Sequence, residues 1–396
     1  MDTLTRHAEV TGRHGSAADA IAWWLSAVSA VNQPVASKAG LQAVYRSHTP
    51  VQGEIVFTGA CAYACRHCIY PPSFAASNKN LSADDWNVIF GKLHNELGIS
   101  TFVYGGRSVS KPGIRALASL REALPGARIG LIDNAISYVP FKEQIVDLGL
   151  DWIDISVDGL EREHDEQRGV IGGFKETLKG LDWLVSKQAA PKINVLSCLT
   201  TINRHSLIPM IRELSERGLP NFFITPVSLL DGVRPDPSLR VSSEEFASFV
   251  FELEDALSSM DDVWVEMLMF GADYFSDLLG RRAGLAERFT PSGDSLVLQS
   301  SSAGRGAGVT NELYLRYFPI SLNGDREFIV NTNGDFIFPK VAAYGQIPEH
   351  GVAGNLLHDS PAELYRDLPS LKQFDFYVDE FLKEQQVLGR FFKELS

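Results

Sequence analysis

The sequence is sparing with cysteine, with positive charge and with long apolar runs, and each shortage excludes something. There are 4 cysteines in 396 residues. A disulfide framework belongs to short secreted chains, and this chain is long. Lysine and arginine total 36 against 49 acidic residues, a net charge of −13, so the surface lacks the cationic field that phosphate backbones require. No nucleic-acid partner is expected. No apolar run approaches the roughly 18 residues of a membrane span, and the N-terminus lacks the basic segment, apolar core and cleavage site of a secretory signal. No membrane partner is expected either, and the scarce cysteines fit a reducing cytoplasm. The hydrophobic content of 45% and the chain length support one large core with a smaller unit beside it.

What cysteine there is lies together. Three of the 4 fall in Cys61-Ala-Tyr-Ala-Cys65-Arg-His-Cys68, directly after the strand-like run Glu54-Ile-Val-Phe-Thr-Gly59. Thiolates spaced CxxxCxxC on a tight loop can each bind a different corner of one small iron–sulfur cube. A 4Fe–4S cluster normally takes four cysteines; three leave one iron open, which suits catalysis. Structural zinc is the competing reading. It would need His67 or a distant residue as fourth ligand, and no second half-site accompanies the loop.

The spacing and its place after a first strand resemble the cluster loop of the radical S-adenosylmethionine (radical SAM) superfamily. The resemblance implies one 4Fe–4S cluster on Cys61, Cys65 and Cys68, with S-adenosylmethionine chelated at the open iron. Reductive cleavage then yields a 5′-deoxyadenosyl radical that abstracts a substrate hydrogen. It also implies an external one-electron reductant, a flavodoxin or a ferredoxin.

Along the chain, residues 1–50 read as an N-terminal helical extension. From Ser16 onward Ile21, Trp24, Leu25 and Val28 share one helical face, fit either to pack over a barrel or to meet a partner. Strand-like runs at 54–58, 101–104, 128–132, 152–157, 192–199 and 221–225 alternate with helical runs at 82–97, 111–123, 140–148, 173–187 and 205–217. That alternation predicts parallel βαβ units and an α/β fold: a partial (β/α)6 TIM-like barrel over 51–260. Chemistry in such barrels sits at the carboxyl ends of the strands, where the cysteines fall. A helix over Ser242–Leu257 and a short strand from Val263 come next. Residues 261–312 read as a connecting segment with a flexible Ser/Gly loop at 299–308. Residues 313–396 hold a hairpin signal at Asn333-Gly334, then Gly354-Asn355 and a helix from about Pro361. This order resembles the SPASM domain of one radical SAM branch, as a small α+β cap. Residues such as Ser321 and Lys340 stand where that family has cysteines. With Cys198 alone outside the loop, this sequence cannot supply an auxiliary cluster.

Several strand ends carry polar groups. In Tyr104-Gly105-Gly106-Arg107 the resemblance implies that the Gly105 and Gly106 backbone binds the cofactor's amino group, although Arg107 stands where the family usually has glutamate; a plain turn is the alternative. Leu131-Ile-Asp133-Asn134 is similar to the family's Thr-Asn-Gly strand end, so that Asp133 or Asn134 either faces the cofactor or closes a turn. Asp154-Ile-Ser156-Val-Asp158-Gly159, followed by His164-Asp165-Glu-Gln-Arg168-Gly169, matches the SPASM-type pattern. By that resemblance Ser156 and Asp158 lie near the ribose and Arg168 near the carboxylate, which a guanidinium fork suits; an Arg168–Asp165 surface pair is the alternative. Tyr63 and His67 join these as cofactor contacts, while Tyr63, Tyr70 and Tyr104 line the pocket or the core. On the fifth strand, alternation sets Asn194, Leu196, Cys198 and Thr200 on one face. Cys198 is then either an inert core thiol or a hydrogen-atom donor to a substrate radical.

The expectation is a radical SAM enzyme performing a redox-neutral transformation, such as epimerisation, isomerisation, elimination or rearrangement, of a small metabolite or natural-product intermediate. A peptide-modifying maturase acting on a ribosomal peptide is the near alternative. A non-enzymatic iron–sulfur binding protein is the alternative of another class.

Overall fold

Alternating apolar residues along each predicted strand build one sheet with two unlike faces. The computed structural model describes residues 50, 52–70, 81–227, 236–270, 272–282, 284–292, 295–306, 308–318, 327–338 and 352–367. The helix expected at 16–31, and Ser321 and Lys340, lie outside the described residues.

Among the described residues the barrel elements run β1 (Gln52–Ile55), α1 (Ala83–Leu97), β2 (Thr101–Tyr104), α2 (Lys111–Ala123), β3 (Arg128–Asp133), α3 (Lys142–Asp147), β4 (Trp152–Ser156), α4 (Glu161–Arg168), α5 (Gly173–Lys187), β5 (Ile193–Leu199), α6 (Leu207–Glu216) and β6 (Asn221–Pro226). There follow α7 (Ser243–Leu257), β7 (Trp264–Phe270), α8 (Ala272–Arg281), β8 (Thr290–Ser292), β9 (Ser295–Ala303), β10 (Thr310–Phe318), β11 (Glu327–Val330), β12 (Asp335–Ile337), β13 (Val352–Asn355) and α9 (Pro361–Asp367). The helices begin where the sequence offers caps. Ser82 with Asp85, and Ser242 with Glu245, form reciprocal capping boxes for α1 and α7.

The strands join in the order β13-β12-β11-β1-β2-β3-β4-β5-β6-β7-β10-β9-β8. Pairing is parallel from β11 through β10 and antiparallel at both ends. The expected TIM-like α/β barrel is therefore present as a parallel sheet that, among the described residues, hydrogen bonds do not close. On its outer face Ile153, Ile155, Val195, Leu199, Phe222, Ile224, Val265 and Met267 pack with the helices into one core. On the inner face Ser156, Leu196, Cys198, Phe223, Thr225, Trp264 and Leu268 are only partly covered. That face is the lumen.

One expectation differs from the structure. The first half of the Ser/Gly stretch is not a loop: Ser295–Ala303 is a strand paired antiparallel with β10, and Gly304 N–H closes the hairpin on Val309 O at 2.9 Å. Buried Leu296, Val297 and Leu298 seat the strand, and the serines after them contribute backbone to a ladder that needs no apolar side chain. The C-terminal hairpin, expected as part of a cap on the barrel, extends the barrel's own sheet. β11 pairs in parallel with β1, Glu54 opposite Ile329, and Lys92 of α1 donates to Leu356 O at 2.8 Å, Leu357 O at 3.3 Å and Asp359 O at 3.0 Å. No helix among the described residues is long and apolar enough to cross a membrane.

Candidate active site

The cysteine loop leaves β1 at the carboxyl end of the parallel strands. Cys61 is exposed, and Cys65 and Cys68 are half-buried. Short backbone bonds seat the loop: Arg66 N–H on Gln167 O at 2.9 Å, Cys68 N–H on Cys65 O at 3.2 Å, and Ser108 N–H on Ala60 O at 3.2 Å. Gly169, at the end of α4, packs so closely that a Cβ there would lie 2.7 Å from Ala64 O; with φ at +68° it also occupies the left-handed region that favours glycine. Among the described residues no group of three or more His, Cys, Asp or Glu converges as one metal ion would demand. A cube that takes one thiolate on each of three irons makes no such demand.

Behind the loop lies a buried charge network. Asp158 is fully buried. Its Oδ2 lies 2.6 Å from Arg168 Nε and 3.6 Å from His67 Nε2, while its Oδ1 accepts the Cys198 N–H at 2.7 Å. Arg168 Nη1 in turn points at Cys65 Sγ, 3.8 Å away. Burial opposes charge on Asp158, but Arg168, His67, His164 and the Cys198 N–H together hold its carboxyl below the usual range. Burial and the nearby Arg168 push His164 down to about 4, so its neutral ring accepts the Asp158 N–H at Nδ1, 3.2 Å away. Burial likewise holds His67 at about 4 against the pull of Asp158. Burial raises Cys65 to about 11 even beside Arg168; thiolate ligation there releases a proton.

Cys198 stands on β5 with its backbone fixed on both sides. Its carbonyl accepts Gln167 Nε2 at 2.9 Å and Asn203 Nδ2 at 2.8 Å. Its thiol lies within electrostatic reach of Asp158, Arg168 and Cys65, and burial pushes it far above the usual thiol value. Gln167 and Asn203 are fully buried and escaped sequence reasoning, because a lone amide carries no motif. Gln167 sits one residue from Arg168 inside the recognised run, the only available signal.

The other predicted residues divide. Ser156 is on the lumen face of β4, opposite Leu196 of β5. Asp158 does not open toward the lumen; its oxygens are taken up by Arg168, His67 and the Cys198 N–H. The alternative pairing of Arg168 with Asp165 is not found: Asp165 caps the start of α5 by accepting the Gly172 and Phe174 N–H groups. Asn134 Oδ1 accepts the Ile136 and Ser137 N–H groups at 2.9 and 3.0 Å, so that oxygen closes a turn. Asp133 points to the helix side and bonds Ser137. Gly105 and Gly106 abut the Glu54 and Tyr70 side chains, with Gly106 at φ +86°, so packing as well as any ligand calls for glycine there. Arg107 lies over the Tyr70 ring at 5.6 Å. Tyr104 is core.

Around the loop, His67 Nδ1 and Ser108 Oγ are buried with no hydrogen-bond partner among the described residues. Burying such groups unpaired costs on the order of 1–3 kcal/mol each, which a polar ligand at this position removes. Three thiols, orphaned polar atoms and a buried arginine form a donor set that fits an iron–sulfur cluster with a zwitterionic, hydroxylated ligand.

The comparisons agree. The Radical SAM superfamily profile matches residues 55–227. The sporulation killing factor maturation protein SkfB of Bacillus subtilis is 25% identical over 155 residues, 39% of this chain and 36% of that protein. Pre-heme d1 synthase of Dinoroseobacter shibae is 23% identical over 176 residues, 42% and 41% of the two chains. The alignments thus span well under two thirds of these relatives. Among solved structures, anSMEcpe with bound AdoMet and Cp18Cys peptide superposes with TM-score 0.57 at 14% identity, covering 84% of each chain. Streptococcus suis SuiB bound to precursor peptide SuiA gives TM-score 0.57 at 14% identity, covering 81% of this chain and 66% of that one. These structural likenesses carry the fold, the family profile carries the motif, and the radical SAM family uses a 4Fe–4S cluster with S-adenosylmethionine; residues 55–227, which hold the cysteine loop and the parallel strands β2 to β6, match the radical SAM superfamily.

Proposed function

We propose that this chain is a radical SAM enzyme that performs a redox-neutral transformation of a small metabolite or natural-product intermediate held in the barrel lumen. The observation that carries this reading is Cys198: a thiol on the lumen face of β5, within electrostatic reach of Cys65, its backbone held by Asp158, Gln167 and Asn203. Cys61, Cys65 and Cys68 would hold the cluster. The Gly105–Gly106 turn, Tyr63, His67, Ser156 and Arg168 would bind the cofactor, with Asn134 at the margin and Asp158 positioning Arg168. Bound there, the pair supplies a 5′-deoxyadenosyl radical.

Cys198 then gives its hydrogen atom to a carbon-centred substrate radical. A C–H bond forms, the S–H bond breaks and a thiyl radical remains. One electron from the external carrier, a flavodoxin or a ferredoxin, and one proton from solvent restore the thiol. The sequence has no thiolates for a second cluster, which favours outcomes that leave no electron to export.

Anaerobically reconstituted protein, reduced with dithionite in the presence of S-adenosylmethionine, is expected to form 5′-deoxyadenosine. Protein with four irons that leaves the cofactor intact would instead be a binding protein. Once a substrate is found, Cys198→Ala should keep 5′-deoxyadenosine formation and lose solvent deuterium from the product; unchanged labelling removes Cys198 as donor. A second reading, a peptide-modifying maturase, is favoured by the peptides bound in the two solved neighbours, and a peptide rather than a metabolite stimulating 5′-deoxyadenosine formation would select it.

A further inference from the structure

We propose that Arg316, held by Glu266, anchors an oxyanionic group of the substrate, a carboxylate or a phosphate, on the β7–β10 wall of the lumen; this rests on the reading that the lumen holds the substrate. Strand register supplies the geometry. Cys198 of β5 lies opposite Thr225 of β6. Ile224 lies opposite Met267, which brings Thr225 level with Leu268, and Leu268 lies opposite Arg316 of β10. Cys198, Thr225, Leu268 and Arg316 therefore form one lateral row, begun by the Asp158 carboxylate on the Cys198 N–H. Adjacent strands are about 4.8 Å apart, so Cys198 and Arg316 stand about 14 Å apart along the sheet, the span of a small molecule.

The charges in this row are unusual for their burial. Among the described residues, two arginine–carboxylate pairs have both side chains less than a fifth exposed: Arg168–Asp158, at 11% and 0%, and Arg316–Glu266, at 18% and 9%. The first belongs to the cysteine loop. Taking two charges out of water costs several kcal/mol, which mutual attraction repays only in good geometry. The strands that the second pair joins already share backbone ladders. Arg316 Nε contacts Glu266, and Nη1 donates to Ser295 Oγ at 3.0 Å. Two such contacts fix the guanidinium plane, the group best shaped for carboxylate or phosphate. Toward the amino ends of the strands, Trp264 packs edge-on against Phe223 at 5.0 Å and beside Tyr314 at 5.3 Å, an apolar floor. A chain of net charge −13 repels anions at long range, so an anionic substrate needs such a local cation.

The test is anion binding to the full chain, followed by tryptophan fluorescence and calorimetry with benzoate, inorganic phosphate and benzylamine as probes. Wild-type protein should bind benzoate or phosphate and not benzylamine, and the preferred anion names the oxyanion. Arg316→Gln should weaken that binding about tenfold or more, while Arg305→Gln, at an exposed arginine, should leave it unchanged. Because Arg316→Gln strands Glu266 without its partner, the neutral pair Glu266→Gln/Arg316→Gln serves as the second variant, with melting curves confirming its fold. The proposal is overturned if the folded double variant binds the anion as tightly as wild type, or if wild type binds neither anion or prefers benzylamine. None of these measurements uses cofactor cleavage, so their failure leaves the enzymatic reading intact. Absent 5′-deoxyadenosine with normal anion binding would remove the enzymatic reading alone.

Discussion

The Asp158 carboxylate joins two parts of the chain in one step, accepting the Cys198 N–H at 2.7 Å on Oδ1 and meeting Arg168 Nε at 2.6 Å on Oδ2. It ties the lumen strand β5 to the last turn of α4, and so fixes Cys198 relative to the arginine behind Cys65. Asp158→Asn leaves that arginine buried without its anion. A loss of roughly 3–5 kcal/mol is expected, read by urea unfolding of the apo-protein under anaerobic conditions. A loss below about 1 kcal/mol would mean that Arg168 finds its partner elsewhere.

Asp133 gives the stability a pH dependence of defined sign. Burial raises its carboxyl to about 6, against the lowering effect of its bond to Ser137. The folded chain then holds a proton that the unfolded chain, with an ordinary aspartate near 3.9, has released. Stability from this group is therefore lost as pH climbs from about 4 to about 6 and stays level above, a fall of roughly 2–3 kcal/mol. Asp133→Asn should flatten that part of the curve, so the wild-type-minus-variant difference in unfolding free energy, measured from pH 4 to 7.5, is the check. A pH-independent difference would contradict the assignment.

Lys92 is the clasp of the C-terminal segment. Three carbonyls, of Leu356, Leu357 and Asp359, converge on its ammonium. Lys92→Met keeps the stem and removes the donors, at a cost of roughly 1.5–3 kcal/mol. Hydrogen exchange should quicken over residues 352–367 and hold steady in β4 and β5. Uniform quickening would instead assign Lys92 to the global core.

Gly180 is a steric prediction. A Cβ on this α5 residue would sit 2.0 Å from Ala135 O, and the glycine carbonyl also accepts the Tyr138 hydroxyl at 2.7 Å. Gly180→Ala forces helix and turn apart. The usual overpacking cost of about 1–3 kcal/mol is expected, despite alanine's better helix propensity, and thermal melts would show it. An unchanged or higher melting temperature would mean that the helix shifts freely.

Much of this architecture was readable locally. The βα alternation through β6, the capped starts of α1 and α7, and the Asn333-Gly334 hairpin each rest on residues within a few positions of one another. The cysteine loop belongs with them, since ligand spacing on a tight loop is a property of the sequence itself. The serine-rich strand β9 was misread because its ladder is made by backbone, which composition does not report.

The sequence by itself determined which chemistry the chain can carry: three thiols on one loop, a barrel to seat them and no cysteines for a second cluster. Tertiary structure alone decided which side chains meet. Arg168 pairs with Asp158 and not with Asp165, three residues before it, because the Gly172 and Phe174 N–H groups claim the Asp165 carboxylate while the strand end brings Asp158 to the guanidinium. Glu266 and Arg316, 50 residues apart, meet through the β7–β10 pairing; the period-two pattern of a strand says which face is buried and not which distant strand lies beside it.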